Sequence, residues 1–217
     1  MIITVASGKG GTGKTLVASN LFRILSKKKE SVALIDCDVE EPNVMNFISH
    51  RLQMEIEVKE YRPAINTDQC VFCGKCVDYM IVDFPPGTGD AQITIVQKFQ
   101  IDGALVVTTP QILSLNDARR GTEMLVNNQI NVPLIGVVEN MSWFTPLEHP
   151  DEKYYIFGEK GGMALAEEFS VPLLCQIPLI QGIGRQAEKG DSFDSLDNLQ
   201  VKDIFSSLSE SVVSFLK

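Results

Sequence analysis

The sequence predicts an α/β domain: a doubly wound, mostly parallel sheet with helices on both faces. Three observations predict it. Short apolar runs bounded by turn residues recur along the chain, helix-like segments lie between several of them, and a glycine-rich loop sits at the first strand–helix junction. The strand candidates are Ile2–Ala6, Ser31–Ile35, Tyr79–Asp83, Ala104–Thr108, Leu134–Val138 and Leu173–Ile177. Helical spacing appears at Leu16, Val17, Leu21, Ile24 and Leu25, and again around Ala91–Phe99, Leu115–Asn127 and Met163–Phe169. Val201, Ile204, Phe205, Leu208, Val212 and Phe215 form one stripe of a terminal helix.

The first junction carries the sharpest signal. Gly8-Lys9-Gly10-Gly11-Thr12-Gly13-Lys14-Thr15 completes the pattern G-x-x-x-x-G-K-[ST]. That pattern needs glycines so that backbone N–H groups can turn inward around phosphates. Lys14 is then placed to reach the β/γ-phosphates, and the Thr15 hydroxyl to bind Mg²⁺. A helix beginning directly after the loop adds its positive end and its free N–H groups to the anion site.

Two further strands end in acid. Val32-Ala33-Leu34-Ile35 runs into Asp36-Cys37-Asp38, at the strand end where ligands of parallel sheets bind. Alternate residues share a face, so Asp36 and Asp38 can act together while Cys37 points elsewhere. Tyr79–Asp83 ends in a single carboxylate, the position at which an aspartate holds Mg²⁺ or its water. Phe84-Pro85-Pro86-Gly87-Thr88-Gly89-Asp90 follows, stiffened by two prolines and loosened by two glycines, as a loop that rearranges around a γ-phosphate requires.

The chain has 217 residues, enough for one domain with a full core, and its 44% hydrophobic and 22% charged content is ordinary for a globular protein. We expect a single domain over residues 1–217, with a short irregular Cys-containing insert at about 43–78, where no period is sustained. A net charge of −9 argues against broad adhesion to DNA or anionic lipid. The terminal helix carries too little positive charge for a good lipid anchor, so core packing is its expected role. No nucleic-acid partner and no stable membrane association are expected. With no leader legible before the first strand, the expected location is cytoplasmic.

Five cysteines, an odd number, make a disulfide framework a poor reading and direct attention to metal. Cys70-x-x-Cys73-x-x-Cys76 has the spacing that opens a bacterial ferredoxin run, but Val-Asp-Tyr-Met follows where a fourth cysteine would stand. Three thiolates can hold an iron–sulfur cluster with a labile site, share one across a dimer, or bind Zn²⁺ with an external ligand; they can also be a remnant that holds nothing. Cys37 and Cys175 read as small buried residues.

The run GKGGTGKT, with its early Lys9, resembles the deviant phosphate-loop ATPases, the family of the nitrogenase iron protein, MinD and Mrp. "IVDFPPGTGDAQ", "DARRG", "GVVENMSWF" and "YYIFGEKGG" resemble the Mrp-like branch, while "IDCDVEEPN" and "INTDQCVFCGKC" are closer to relatives carrying an inserted ferredoxin module. The interval from Asp38 to Asp83 is shorter than in Mrp relatives, which place another strand and helix there; a deletion or splice between two subfamilies is the expected cause. The resemblance implies that Lys9 reaches across a homodimer to the partner's nucleotide, that Asp38 lies in switch I and positions the attacking water, that Asp36 supports it near Mg²⁺, and that Asn140 contacts the base. It implies a slow, dimeric Mg·ATP-hydrolysing switch that handles iron–sulfur clusters for client or scaffold proteins. Two alternatives are a partition or positioning ATPase of the MinD type and a nucleotide-binding scaffold with little hydrolysis.

Overall fold

The computed structural model describes residues 1–28, 30–38, 42–48, 77–146, 148–179 and 199–217. In chain order the elements are β1 (Ile2–Ala6), α1 (Lys14–Lys27), β2 (Val32–Asp36), α2 (Val44–Phe47), β3 (Tyr79–Asp83), α3 (Asp90–Lys98), β4 (Gly103–Thr108), α4 (Ile112–Val126), β5 (Leu134–Phe144), α5 (Gly161–Glu168), β6 (Leu173–Leu179) and α6 (Leu199–Leu216). Six strands form one parallel sheet in the order β2-β3-β1-β4-β5-β6.

Helices cover both faces of this sheet. Ile3, Val5, Ala104, Leu105 and Val107 of the central strands are fully buried, as apolar residues on both faces of a parallel strand must be. On one face, Ile3, Val5 and Ile81 pack with Val17, Leu21 and Leu25 of α1 and with Phe205, Leu208 and Val212 of α6. On the other, Ala6, Val82 and Ala104 meet Leu125 of α4, with Ile95 and Val96 of α3 alongside. Val106 and Val137 meet Ala118 of α4 and Leu165 and Ala166 of α5. The stripe expected on the terminal helix is therefore a core face at Val201, Phe205, Leu208 and Val212, while Phe215 at its end is 46% exposed. No helix among the described residues is long and apolar enough to cross a membrane.

The winding reverses at β1. The chain proceeds to β2 and β3 on one side of it and to β4 on the other, so the carboxyl end of β1 opens onto the crevice where doubly wound sheets bind ligands. Asp83 lies level with Val5 of β1 and with Asp36 of β2, which sets both strand-end carboxylates beside the loop that leaves β1.

Several boundaries differ from the sequence expectation for identifiable reasons. β5 runs to Phe144, six residues beyond Val138, because an irregularity after Asn140 absorbs a change of register against β6 and pairing resumes at Phe144–Leu179. Asn140 therefore sits within the strand, before this irregularity. α4 starts at Ile112, before its buried stripe, and leaves Ile112 and Leu113 exposed. The one-turn α2 has no legible apolar period; hydrogen bonds to Asp36 hold its start.

Candidate nucleotide site

β1 leads into buried Ser7, whose hydroxyl donates to the Lys9 carbonyl at 2.7 Å and closes the first turn of the phosphate loop. Gly8 follows under a strict spatial demand. A Cβ there would lie 1.8 Å from the backbone of Asp117, so α4 touches the loop backbone directly. Gly13 is the second obligatory glycine: its φ is +92°, and it stands as N-cap of α1. The first turn of α1 has no acidic residue and no side-chain cap. Its N-terminal N–H groups thus remain for an anion.

Lys14 is 6% exposed. Burial lowers its pKa, and Asp83, Asp38 and Asp36 pull it back up, in that order of strength. The three acids expected from sequence thus converge on the lysine expected from sequence. Asp83 is itself buried, and its pKa is pushed up to about 6, chiefly by burial; the Thr15 hydrogen bond and Lys14 oppose that rise, while Asp36 and Asp38 add to it. Thr15 donates its hydroxyl to Asp83 Oδ2 at 2.6 Å. Asp83 Oδ1 has no hydrogen-bond partner among the described residues. A buried carboxylate oxygen without a donor, beside a threonine hydroxyl, is a hard-oxygen set that fits Mg²⁺.

Asp36 does something more specific than lend charge. Its Oδ1 accepts from the Asp38 N–H at 3.0 Å, and its Oδ2 from the N–H groups of Asn43 and Val44 at 2.9 and 3.1 Å. It therefore shapes the loop that carries Asp38, while remaining within electrostatic reach of Asp83 and Lys14. Cys37 is tied in by its backbone, whose N–H donates to the Asp83 carbonyl. Burial first, then Asp36 and Asp83, push its thiol up to about 11. Burial alone carries Cys175 to about 12. The raised values favour the protonated thiols at neutral pH, but both cysteines are only half-buried, short of the fully buried positions expected from sequence.

The loop after β3 is anchored at both ends. Phe84 is fully buried and its N–H donates to Val5, while buried Gln92 donates to the Pro85 carbonyl at 2.5 Å. Between these anchors Thr88, Gly89 and Asp90 are exposed. Lys9 is exposed at the loop apex, and Gly10 and Gly11 beside it are open to solvent. Asn140 is buried and lies against the loop, with Nδ2 donating to the Thr12 carbonyl at 2.9 Å.

Sequence reasoning missed three supports. Gln92, a polar residue in the first turn of α3, carries no local signal of its bond to Pro85. The approach of α4 to Gly8 was signalled by Ala118 and Gly121, small residues one helical turn apart. Glu139, an acid in an apolar run, is 1% exposed; its carboxylate accepts from the Gly162 N–H and from Gln176 Nε2. A buried acid requires such partners, so its place in the pattern was a legible signal. Cys70, Cys73 and Cys76 lie outside the described residues. Among the described residues no group of three or more His, Cys, Asp or Glu is arranged to hold a metal ion.

Comparison with known proteins agrees with this geometry. A nucleotide-binding protein of Archaeoglobus fulgidus, solved in complex with ADP, superposes with a TM-score of 0.66 at 25% identity, covering 87% of this chain and 86% of that one. The iron-sulfur cluster carrier protein of Synechocystis is 37% identical over 224 residues, 87% of this chain. This chain spans only 63% of that relative's length. The iron-sulfur cluster carrier protein of Pyrococcus abyssi is 32% identical and covers 99% of this chain and 86% of its own length. That match extends over 257 positions, at least 40 more than the 217 residues available here, so the relative carries residues that this chain lacks. The family model described as NUBPL iron-transfer P-loop NTPase, within the ParA group, matches residues 1–73 and 69–213. The two segments overlap at residues 69–73, within the cysteine run. With a phosphate loop, a strand-end aspartate hydrogen-bonded to its threonine, and a match over nearly the whole chain, the protein belongs to the NUBPL iron-transfer P-loop NTPase family.

Proposed function

We propose that this protein binds Mg·ATP at the loop Gly8–Thr15, hydrolyses it slowly, and uses the change to control the handling of an iron–sulfur cluster. The observation that carries the nucleotide part is the hydrogen bond of Thr15 to buried Asp83, beside Lys14. The loop amides and the start of α1 bind the phosphates, and Lys14 supplies a cation where charge develops on them. Mg²⁺, when bound, would be held by Thr15 and Asp83 with Asp36 in support, and would add further neutralisation of the phosphate charge. Asp38, on the loop shaped by Asp36, orients the attacking water. Hydrolysis then depends on positioning and electrostatics alone, with no covalent intermediate on the protein.

The cargo part rests on relatives described as iron–sulfur cluster carriers and on the spacing of Cys70, Cys73 and Cys76. One chain supplies three thiolates in this run. A second copy, meeting the first through the face that exposes Lys9, completes both the nucleotide site and the cluster's ligand set. The client is an iron–sulfur scaffold or acceptor protein. Anaerobic purification with iron, sulfide and zinc analysis, with and without Mg·ATP, tests this directly. Bound iron and sulfide released to an apo-acceptor in a nucleotide-dependent way is the expected result. A metal-free protein after careful anaerobic reconstitution would remove the cargo role and leave the nucleotide site standing.

A further inference from the structure

Asn140 is held in this structure by a contact to the phosphate loop itself. Its side chain is 3% exposed, and its Nδ2 donates to the Thr12 carbonyl across 128 residues of sequence. A Cβ on Gly13 would come within 2.2 Å of that same nitrogen, so the amide lies directly against Gly13 as well as Thr12. No cis peptide bond occurs among the described residues. In a planar trans peptide the C=O and the following N–H point to opposite sides. A Thr12 carbonyl held toward β5 therefore turns the Gly13 N–H away from β5.

The strand is built to hold Asn140 still. Glu139, its neighbour, anchors β5 to α5 through the Gly162 N–H and to β6 through Gln176. The Ser142 hydroxyl donates back to the Glu139 carbonyl at 3.0 Å. Met141 has φ +57°, an uncommon conformation for a residue with a side chain, at the irregularity that follows Asn140. Such strain persists where the surroundings over-determine the backbone, and it concentrates at functional sites.

We propose that Asn140 is a positioning residue for the phosphate loop. Its amide fixes the Thr12–Gly13 peptide plane so that the Gly13 N–H is presented to the phosphates. This rests on the nucleotide reading above and adds to it, since the role is independent of the base. An asparagine amide has two hydrogens and a carbonyl, so holding Thr12 leaves capacity for a second partner.

The test compares Mg·ATP with Mg·tripolyphosphate, which offers the phosphates without a base, each measured by calorimetry on wild type, Asn140→Ala and Asn140→Leu. Leucine shares asparagine's branched heavy-atom skeleton, with bulkier methyl groups and no hydrogen-bonding atoms, and it keeps the test available if the alanine variant fails to fold; thermal melting identifies the folded variants. Loss of the hydrogen bond that orders the loop should weaken tripolyphosphate and ATP by the same factor, about tenfold. Unchanged tripolyphosphate affinity with weakened ATP would overturn the proposal and leave Asn140 as a base contact only. Wild-type protein that binds neither ligand would instead overturn the nucleotide reading itself.

Discussion

The Thr15 hydroxyl and the Asp83 carboxylate meet at 2.6 Å across 68 residues of sequence, at the end of the phosphate loop and the end of β3. One Asp83 oxygen takes that hydrogen bond, and the other is buried without a partner among the described residues. This single contact joins the phosphate loop to β3, and the burial around Asp83 makes its charge a matter of stability as well as chemistry.

Replacing Asp83 should separate those two. Burial raises its pKa from 3.8 to about 6. The folded state therefore favours the protonated form, so the contribution to stability is full below the unfolded value near 4 and is lost as pH rises through 6. Asp83→Asn keeps an acceptor for Thr15 and removes the charge. In the absence of Mg²⁺ and nucleotide it should stabilise the fold at pH 8 by on the order of 2 kcal/mol. The gain should shrink toward pH 4.5, and Mg·ATP affinity should fall. Denaturant melts at the two pH values decide it; a variant less stable than wild type at pH 8 would show that the charge is not the strained element.

Lys14 is the one cation buried in the loop, and the charged groups that act on it are Asp83, Asp38 and Asp36. Lys14→Ala should weaken Mg·ATP binding by roughly ten- to a hundredfold, the loss of a charge-assisted phosphate contact. Calorimetry with unchanged affinity would reject Gly8–Thr15 as the phosphate site.

Binding and chemistry should come apart at Asp38. It stands on the loop that Asp36 shapes, within electrostatic reach of Lys14 and Asp83. Asp38→Ala should retain ATP with affinity within about threefold of wild type while phosphate release drops by ~10²-fold or more. Turnover at the wild-type rate means the water is oriented by another group.

For the cysteine run, the prediction is a colour and a dimer. Anaerobically reconstituted wild type should be brown, with dimer content rising with iron and falling on chelation, because a ligand that binds only the assembled form stabilises it by mass action. Cys73→Ser should abolish both signals and leave nucleotide binding intact. Equal iron and equal dimer content in that variant would show that the three cysteines are not the ligands.

Local chemistry determined much of this protein before any fold was considered. The loop Gly8–Thr15, the strand-end acids Asp36 and Asp83, and the alternation of apolar runs with helical stripes are each written in consecutive residues, because glycine conformations, helix starts and strand periodicity are short-range properties. What tertiary structure decided were the contacts between residues far apart in sequence. Packing of α4 on β4 brings Asp117 against Gly8, and the β1–β4–β5 order brings Asn140 to Thr12, a pairing that no spacing encodes. Asp36 shows the same division within one residue. Its place at the end of an apolar run was legible, but its engagement with the N–H groups of Asp38, Asn43 and Val44 depended on how the chain turns after β2. The carboxylates become a site only when parallel pairing sets Asp36 level with Asp83, and burial then raises the Asp83 pKa because water that would solvate the charge has been excluded by the neighbouring strands and helices.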